Sequence, residues 1–397
     1  MGFGSKRTVR FGINYTPAQR WYFCWDDWDA GAVAADLDAI AALGADHIRL
    51  QLLWPSFQPN PTYVSPGHLR RLGELMTLAE ARGLDVVVTL LTGFLSGYVY
   101  LPAGVSPRAV FTDERVWAME MLLARRVLEV VGARPNFMGL DVGNEINCLD
   151  HELPVRDGDA WARRFLEQVQ PLMPGKPIVN GIDHTPLLAG STFSMTHLAR
   201  AYPIICLHAW PYFSGAIKKG RLDQAPCTHL ARFFTQFVRL WGDQPQRPVW
   251  IQEFGANDLW GTFTERAAYL RQTVELAIRS GVTMFTWWCS HDKTRDLKFD
   301  EFEYVYGLYT PDNQPKDLAA VYRELVDRYA QADLSQLTAG YDCEIAVPET
   351  FVPGYLPHAA TADYLERTLA SNVWKIYDEY LSRVAEGKTP VLVRGKS

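Results

Sequence analysis

A chain of 397 residues, 48% hydrophobic and 21% charged, has globular composition. It can hold one large α/β domain with an appendage, or two ordinary domains. The net charge of −6 argues against a nucleic-acid partner, which calls for a basic patch. No apolar run approaches the roughly eighteen residues that a membrane span needs. The opening Met1-Gly-Phe-Gly-Ser-Lys-Arg7 lacks the apolar core of a signal peptide, so a cytoplasmic location is expected, although a secreted chain already stripped of its leader would read the same. Cys24, Cys148, Cys206, Cys227, Cys289 and Cys343 show no CxxC spacing, so buried free thiols are expected rather than a zinc or redox site.

Strands and helices alternate from the start. Val9 to Tyr15 reads as a first strand ending in Asn14, followed by a loop dense in aromatics: Trp21, Tyr22, Phe23, Trp25 and Trp28. A pocket wall is favoured for this aromatic-dense loop over a surface lid or simple packing. Asp29 is placed to cap a helix through Val33, Leu37 and Ile40 that stops at Gly44. The second strand, His47 to Trp54, carries Arg49. A helix from Leu69 to Ala79 stops at Gly83, and Leu84 to Leu91 is a near-continuous apolar run, as a parallel strand requires. A long loop over 92–112 leads to a helix ending near Val131.

Phe137 to Glu145 is the fourth strand and closes on Asn144-Glu145. A helix over Asp159–Gln170 precedes a fifth strand, Pro177 to Gly181, which leads to Asp183 and His184. Ile204 to His208 is the sixth, continuing into Trp210 and Tyr212. A helix over His229–Trp241 leads to the seventh, Pro248 to Glu253. A helix over Arg266–Arg279 leads to the eighth, Thr283 to Trp288, and a last helix opens at Pro315. Eight such units over 1–335 predict a (β/α)8 TIM barrel. A doubly wound open sheet is the main alternative, but no glycine-rich phosphate loop follows the first strand. Residues 336–397 read as a small C-terminal α/β extension: a strand over Tyr341–Val347, one or two helices over Ala360–Val384, and a strand over Pro390–Arg394.

Active sites of parallel barrels form at the C-terminal ends of the strands. Glu145 and Glu253 both sit at such ends, 108 positions apart, about three strand–helix units. That spacing puts them on the fourth and seventh strands, nearly facing each other across the mouth. Two carboxyls across a cleft are the equipment of glycoside hydrolysis, and thirteen Trp and eighteen Tyr suit a site that stacks on flat apolar faces such as sugar rings.

With Asn144-Glu145 closing a fourth strand and Glu253 closing a seventh, residues 9–335 resemble clan A of the retaining glycoside hydrolases, the barrel group that includes family 5. The resemblance implies Glu253 as nucleophile and Glu145 as general acid/base of a double displacement. It implies Arg49 as support for the nucleophile, Asn144 on the sugar 2-hydroxyl, His208 with Trp210 and Tyr212 behind it on the sixth strand, and Trp287 or Trp288 as the sugar-site floor. Asn14 and His184, at neighbouring strand ends, join the substrate-binding set. No metal or cofactor is implied, and the partner is a carbohydrate. Assignment within the clan stays open, because His208-Ala-Trp-Pro-Tyr212 is wider than the His-x-Tyr common in family 5. The implied substrate is a β-mannoside, β-glucoside or β-galactoside cleaved in exo fashion, with an endo-acting mannanase or cellulase type as the alternative. Oligomeric state is not readable.

Each residue also has a plainer reading. Arg49 could form a structural ion pair and His208 could be a core histidine. Trp287 and Trp288, adjacent on a strand, point to opposite faces, so one of them is core. A non-catalytic sugar-binding barrel would keep the aromatics, but the intact Glu pair argues against it. A metal-dependent hydrolase would need clustered ligands, and His47, His184, His208 and His291 are dispersed.

Overall fold

The computed structural model describes residues 9–329, 332–337, 340–355 and 364–395. The opening heptapeptide and the predicted helix start at Ala360 lie outside the described residues. Eight parallel strands run β1 Arg10–Asn14, β2 His47–Leu53, β3 Asp85–Thr92, β4 Phe137–Asn144, β5 Ile178–Gly181, β6 Ile205–His208, β7 Val249–Phe254 and β8 Val282–Trp287. Their order around the sheet is β5-β4-β3-β2-β1-β8-β7-β6. The seam between β5 and β6 carries no ladder, but the His208 N–H donates to the Ile182 carbonyl across it at 3.2 Å. The barrel is therefore nearly closed, as the strand–helix alternation predicts.

Helices α1 Ala30–Ala42, α2 Pro66–Glu80, α3 Glu114–Val131, α4 Val155–Val169, α5 Met195–Arg200, α6 Leu230–Arg239, α7 Phe263–Ile278 and α8 Asp317–Tyr329 surround it. Asp29 caps α1, accepting from Gly31 and Ala32 N–H at 2.8 and 3.1 Å. Helix α4 begins four residues before its predicted start, because Pro154 holds the chain extended just ahead of it. The loop after β3 is not structureless: Phe94–Leu95 pairs with Tyr98–Val99 as a short hairpin, and Pro107–Thr112 is helical.

The barrel interior is layered. Val87, Met138, Val179, Cys206, Trp250 and Met284 form an apolar plug separate from the main core under the helices. Above it His47 meets the Thr286 hydroxyl at 2.8 Å. Above that the interior turns polar, with Arg49, Asp141 and Gln252 all fully buried. Gly181 permits this layer: a Cβ there would stand 2.9 Å from Arg49 Nη2 and collide with Gln252 Oε1.

The C-terminal strands β9 Cys343–Pro348 and β10 Pro390–Gly395 pair in parallel, joined through helix α9 Val373–Ala385. This unit docks on α6. Tyr377 packs on Phe233 at 4.5 Å, and the Gln236 side chain bonds the backbone of both Pro390 and Leu392. The cysteines are free, with Cys24, Cys206, Cys227 and Cys289 buried. Among the described residues no helix is long and apolar enough to cross a membrane.

Candidate active site

The strand ends bring Glu145, His208 and Glu253 together, with one side-chain donor atom of each within 4.8 Å of the others. Glu145 closes β4 in a left-handed conformation at φ 42°, a conformation that costs a non-glycine residue about 1–3 kcal/mol and is found at functional sites. His208 Nδ1 lies 2.8 Å from Glu145 Oε1 and 3.4 Å from Glu253 Oε2.

Glu253 is held by two donors. Arg49 Nη1 donates to Oε1 at 2.6 Å and Trp210 Nε1 to Oε2 at 3.2 Å. Arg49 also donates through Nε to Asp141 Oδ2 at 2.8 Å, with Nη2 2.7 Å from the same oxygen in an ion pair, to Asn14 Oδ1 at 3.1 Å and to Asn144 Oδ1 at 2.9 Å. Asn144 Nδ2 donates to the Phe94 carbonyl at 3.0 Å.

Burial pushes the Glu145 carboxyl up to about 8, helped by the negative charges of Asp183 and Glu303 and opposed by Arg49. Burial and the neighbouring Glu145 raise Glu253, the Arg49 guanidinium opposes them, and both its oxygens face N–H donors. The N–H donors on both Glu253 oxygens favour its ionised form. Burial lowers His208, keeping the ring neutral. Asp183 is lowered despite its burial, held by His184, His151 and Thr185.

These side chains open onto a cavity of about 270 Å³, at the small end of ligand pockets, which run from about 300 Å³ upward. Phe94, Ser96 and Gly97 of the hairpin wall one part of it; Asp300, Phe302, Glu303 and Tyr306 of the loop after β8 wall another. Asn144, Glu145, His184, Trp210, Glu253 and Trp288 line it, with Cys148, His151, Asp183 and Phe213.

Other predicted residues lie elsewhere. Trp287 is fully buried and packs edge-on against Phe254 at 5.1 Å, so Trp288 is the tryptophan that faces the cavity. Asn14 and Arg49 are sealed beneath the site and brace it rather than line it; Asn14 Nδ2 donates to the Gln252 carbonyl at 3.0 Å. Tyr212 stands outside the cavity lining, 41% exposed and stacked on Trp260 at 4.8 Å. The N–H donor to Glu253 from the end of β6 is Trp210, two residues after His208. The aromatic loop after β1 is packing, not pocket wall: Trp21, Tyr22 and Trp25 are buried, and Trp25 stacks on Trp28 at 5.6 Å.

Sequence reasoning missed Asp141 and Gln252. The signal was present, since an Asp in the middle of an apolar parallel strand is buried on both faces and must be paired. The loop residues Asp300 to Tyr306 gave no comparable signal.

Glu145, His208 and Glu253 could offer a metal three atoms, but the arrangement suits a proton better. His208 Nδ1 is already against Glu145, and an ion on Glu253 would stand beside the fixed Arg49 guanidinium. An oxygen of each carboxyl lies within 4.8 Å of the other, which suits the short separation of a retaining pair, roughly 5–5.5 Å, better than the roughly 6.5–9.5 Å of an inverting one.

Neither a protein-family model nor a curated protein matches the sequence. Solved structures do. GH5_18 from Streptomyces cattleya, crystallised with GlcNAc, is 30% identical over 98% of this chain and 94% of its own, with a TM-score of 0.87. A variant of that protein, at 29% identity, was crystallised with Manb1-4GlcNAc. A variant of GH5_18 from Bifidobacterium longum subsp. longum, in complex with the same disaccharide, is 25% identical over 98% and 91% of the two chains, at TM-score 0.82. An exo-beta-1,4-mannosidase from an Opitutaceae bacterium shares the fold at 21% identity and TM-score 0.81, covering 99% and 72%. The chain belongs to glycoside hydrolase family 5, of clan A, and is a retaining β-glycoside hydrolase.

Proposed function

We propose that the protein removes a terminal β-mannosyl residue from a small oligosaccharide whose next sugar is GlcNAc. The observation that carries this reading is the walled cavity around the Glu145–Glu253 pair; the relatives crystallised with Manb1-4GlcNAc and GlcNAc supply the sugar. A small cavity closed by the hairpin and the loop after β8 favours exo over endo action.

In this reading Glu253 attacks the anomeric carbon while Glu145 gives its proton to the departing oxygen. Glycosylation removes the Glu253 charge, so Glu145 becomes more acidic and then takes a proton from water as that water displaces the enzyme. Asn144, whose Oδ1 is locked by Arg49, has a second Nδ2 hydrogen available for the sugar 2-hydroxyl. Trp288 floors the sugar ring. We read residues 9–335 as the catalytic barrel and the C-terminal unit as a support for α6.

The test is intact-mass analysis after incubation with 2-deoxy-2-fluoro mannosyl, glucosyl and galactosyl fluorides, followed by peptide mapping. A mannosyl adduct on the Glu253 peptide is expected, with turnover of Manb1-4GlcNAc. Glu253→Gln should lower turnover by on the order of a thousandfold. A variant keeping more than about a tenth of wild-type activity would remove Glu253 as nucleophile, because nucleophile loss costs far more. A glucosyl or galactosyl adduct would reassign the sugar.

A further inference from the structure

We propose that Gln252 is a positioning residue that fixes the tautomer of His208 and thereby holds a proton on Glu145; this rests on reading Glu145 as the acid/base.

The chain of contacts starts at Asp141. Its Oδ2 accepts from Arg49 Nε and lies 2.7 Å from Nη2 in an ion pair, and its Oδ1 accepts from the Gly181 N–H at 2.9 Å. A carboxylate held in this way presents only acceptors, so the Gln252 amide must turn Nε2 toward it, and that bond measures 3.2 Å. Gln252 Oε1 is then left 3.2 Å from His208 Nε2. An oxygen acceptor can be met only by an N–H, so the ring carries its hydrogen on Nε2. Reversing the amide would set its oxygen against Asp141, which forbids the other tautomer.

A neutral ring protonated at Nε2 has its lone pair on Nδ1. That lone pair lies between Glu145 at 2.8 Å and Glu253 at 3.4 Å. Two carboxylates around a lone pair repel it, so one proton is bound there, and the nearer Glu145 holds it. The charged and titratable groups around the pair are Glu253 of β7, Arg49 of β2, Asp141 of β4, Tyr22 after β1, Cys148 and His151 after β4, Asp183 and His184 after β5, and Asp300, Glu303 and Tyr306 after β8. Burial raises Glu145 and lowers His208, and both directions agree with a proton on the carboxyl.

When a glycoside enters, its leaving oxygen competes with Nδ1 for that proton. As the C–O bond breaks, the proton passes to the oxygen and leaves Glu145 a carboxylate. In the second step that carboxylate takes a proton from water, and the acid returns to Nδ1. Without the Gln252 carbonyl oxygen the ring is free to carry its hydrogen on Nδ1. It would then donate to the Glu145 carboxylate, stabilise the ionised form and weaken the acid.

The test compares Manb1-4GlcNAc, which needs a proton to depart, with 2,4-dinitrophenyl β-mannoside, which does not. In Gln252→Met the alkaline limb of kcat/KM on the disaccharide should move down by about one pH unit, with a loss of roughly tenfold or more at pH 8, within the range general acid catalysis supplies. The dinitrophenyl rate should change less than about threefold, since it bypasses the acid. Gln252→Glu, whose neutral acid can donate to Asp141 and accept from His208, should keep the limb in place. An unmoved limb, or equal losses on both substrates, overturns the proposal. Nitrogen-labelled histidine NMR of the unmodified protein reads the tautomer directly, and a hydrogen on Nδ1 of His208 also overturns it. Glu145→Ala separates the two readings. It must lose far more kcat/KM on the disaccharide than on the dinitrophenyl substrate, whose kcat falls as well because the second step then lacks its base; equal losses of kcat/KM on the two substrates would fail the acid/base reading whatever Gln252 does.

Discussion

At the floor of the cavity the fully buried Arg49 is held by Asp141, Asn14, Glu253 and Asn144. At the rim Tyr212 has one ring face on Trp260 and is 41% exposed. The floor comes from strands whose register fixes each side chain; the rim comes from loops after β6, β7 and β8. A rigid polar floor keeps charges where a reaction develops charge, while a loosely held aromatic rim can meet the varying remainder of a substrate. Changes at the floor should therefore cost stability or chemistry, and changes at the rim should cost only recognition.

The largest effect is expected from Arg49→Met. It leaves Asp141 and Glu253 as buried carboxylates without their cation, which costs about 3–5 kcal/mol. Denaturant unfolding measures this, and a loss under about 1 kcal/mol would mean the floor is not the interlocked unit described. Trp210→Phe removes one donor from Glu253 and keeps the ring. Its expected cost is about 1.5–3 kcal/mol, or roughly 10–100-fold in kcat/KM, with little change in Tm. An unchanged rate would show that Arg49 alone suffices.

The pH profile comes next. In its proposed role Glu145 acts as acid only when protonated, a state present below about 8 and lost as pH rises through it. Glu253, as the proposed nucleophile, acts only when ionised, so activity should fall again at the acid end. A bell with its upper limb near 8 is expected, and Glu145→Ala should erase that limb. An upper limb surviving in the alanine variant would assign it to another group. The smallest effect is Tyr212→Ala: about 2–10-fold in KM for oligosaccharides, none for aryl mannosides, and no change in Tm. A fall on both substrate types would place Tyr212 in the chemistry and blur the contrast between floor and rim.

The barrel and its two carboxyls were legible because both are local signals. Alternating apolar runs set the strands, and a Glu at the end of an apolar run in a parallel barrel can lie only at the mouth. Asp29 as a cap was legible for the same reason. What failed to read shows the limit. Trp287 and Trp288 differ by one position, and only the pleat of the folded strand decides which enters the cavity. The aromatics from Trp21 to Trp28 pattern as a pocket wall, yet they pack beneath other loops.

The sequence by itself determined the strand–helix alternation, the positions of Glu145 and Glu253 at strand ends, and hence the class of chemistry, because side-chain periodicity and strand polarity are properties of neighbouring residues. The tertiary structure alone decided that Trp210 donates to Glu253, that Asp141, Gln252 and His208 form one line to Glu145, and that loops far apart in the chain wall the cavity. Those are contacts between residues tens to hundreds of positions apart, and no local pattern encodes them; they exist only once the barrel has brought its eight strand ends to one face.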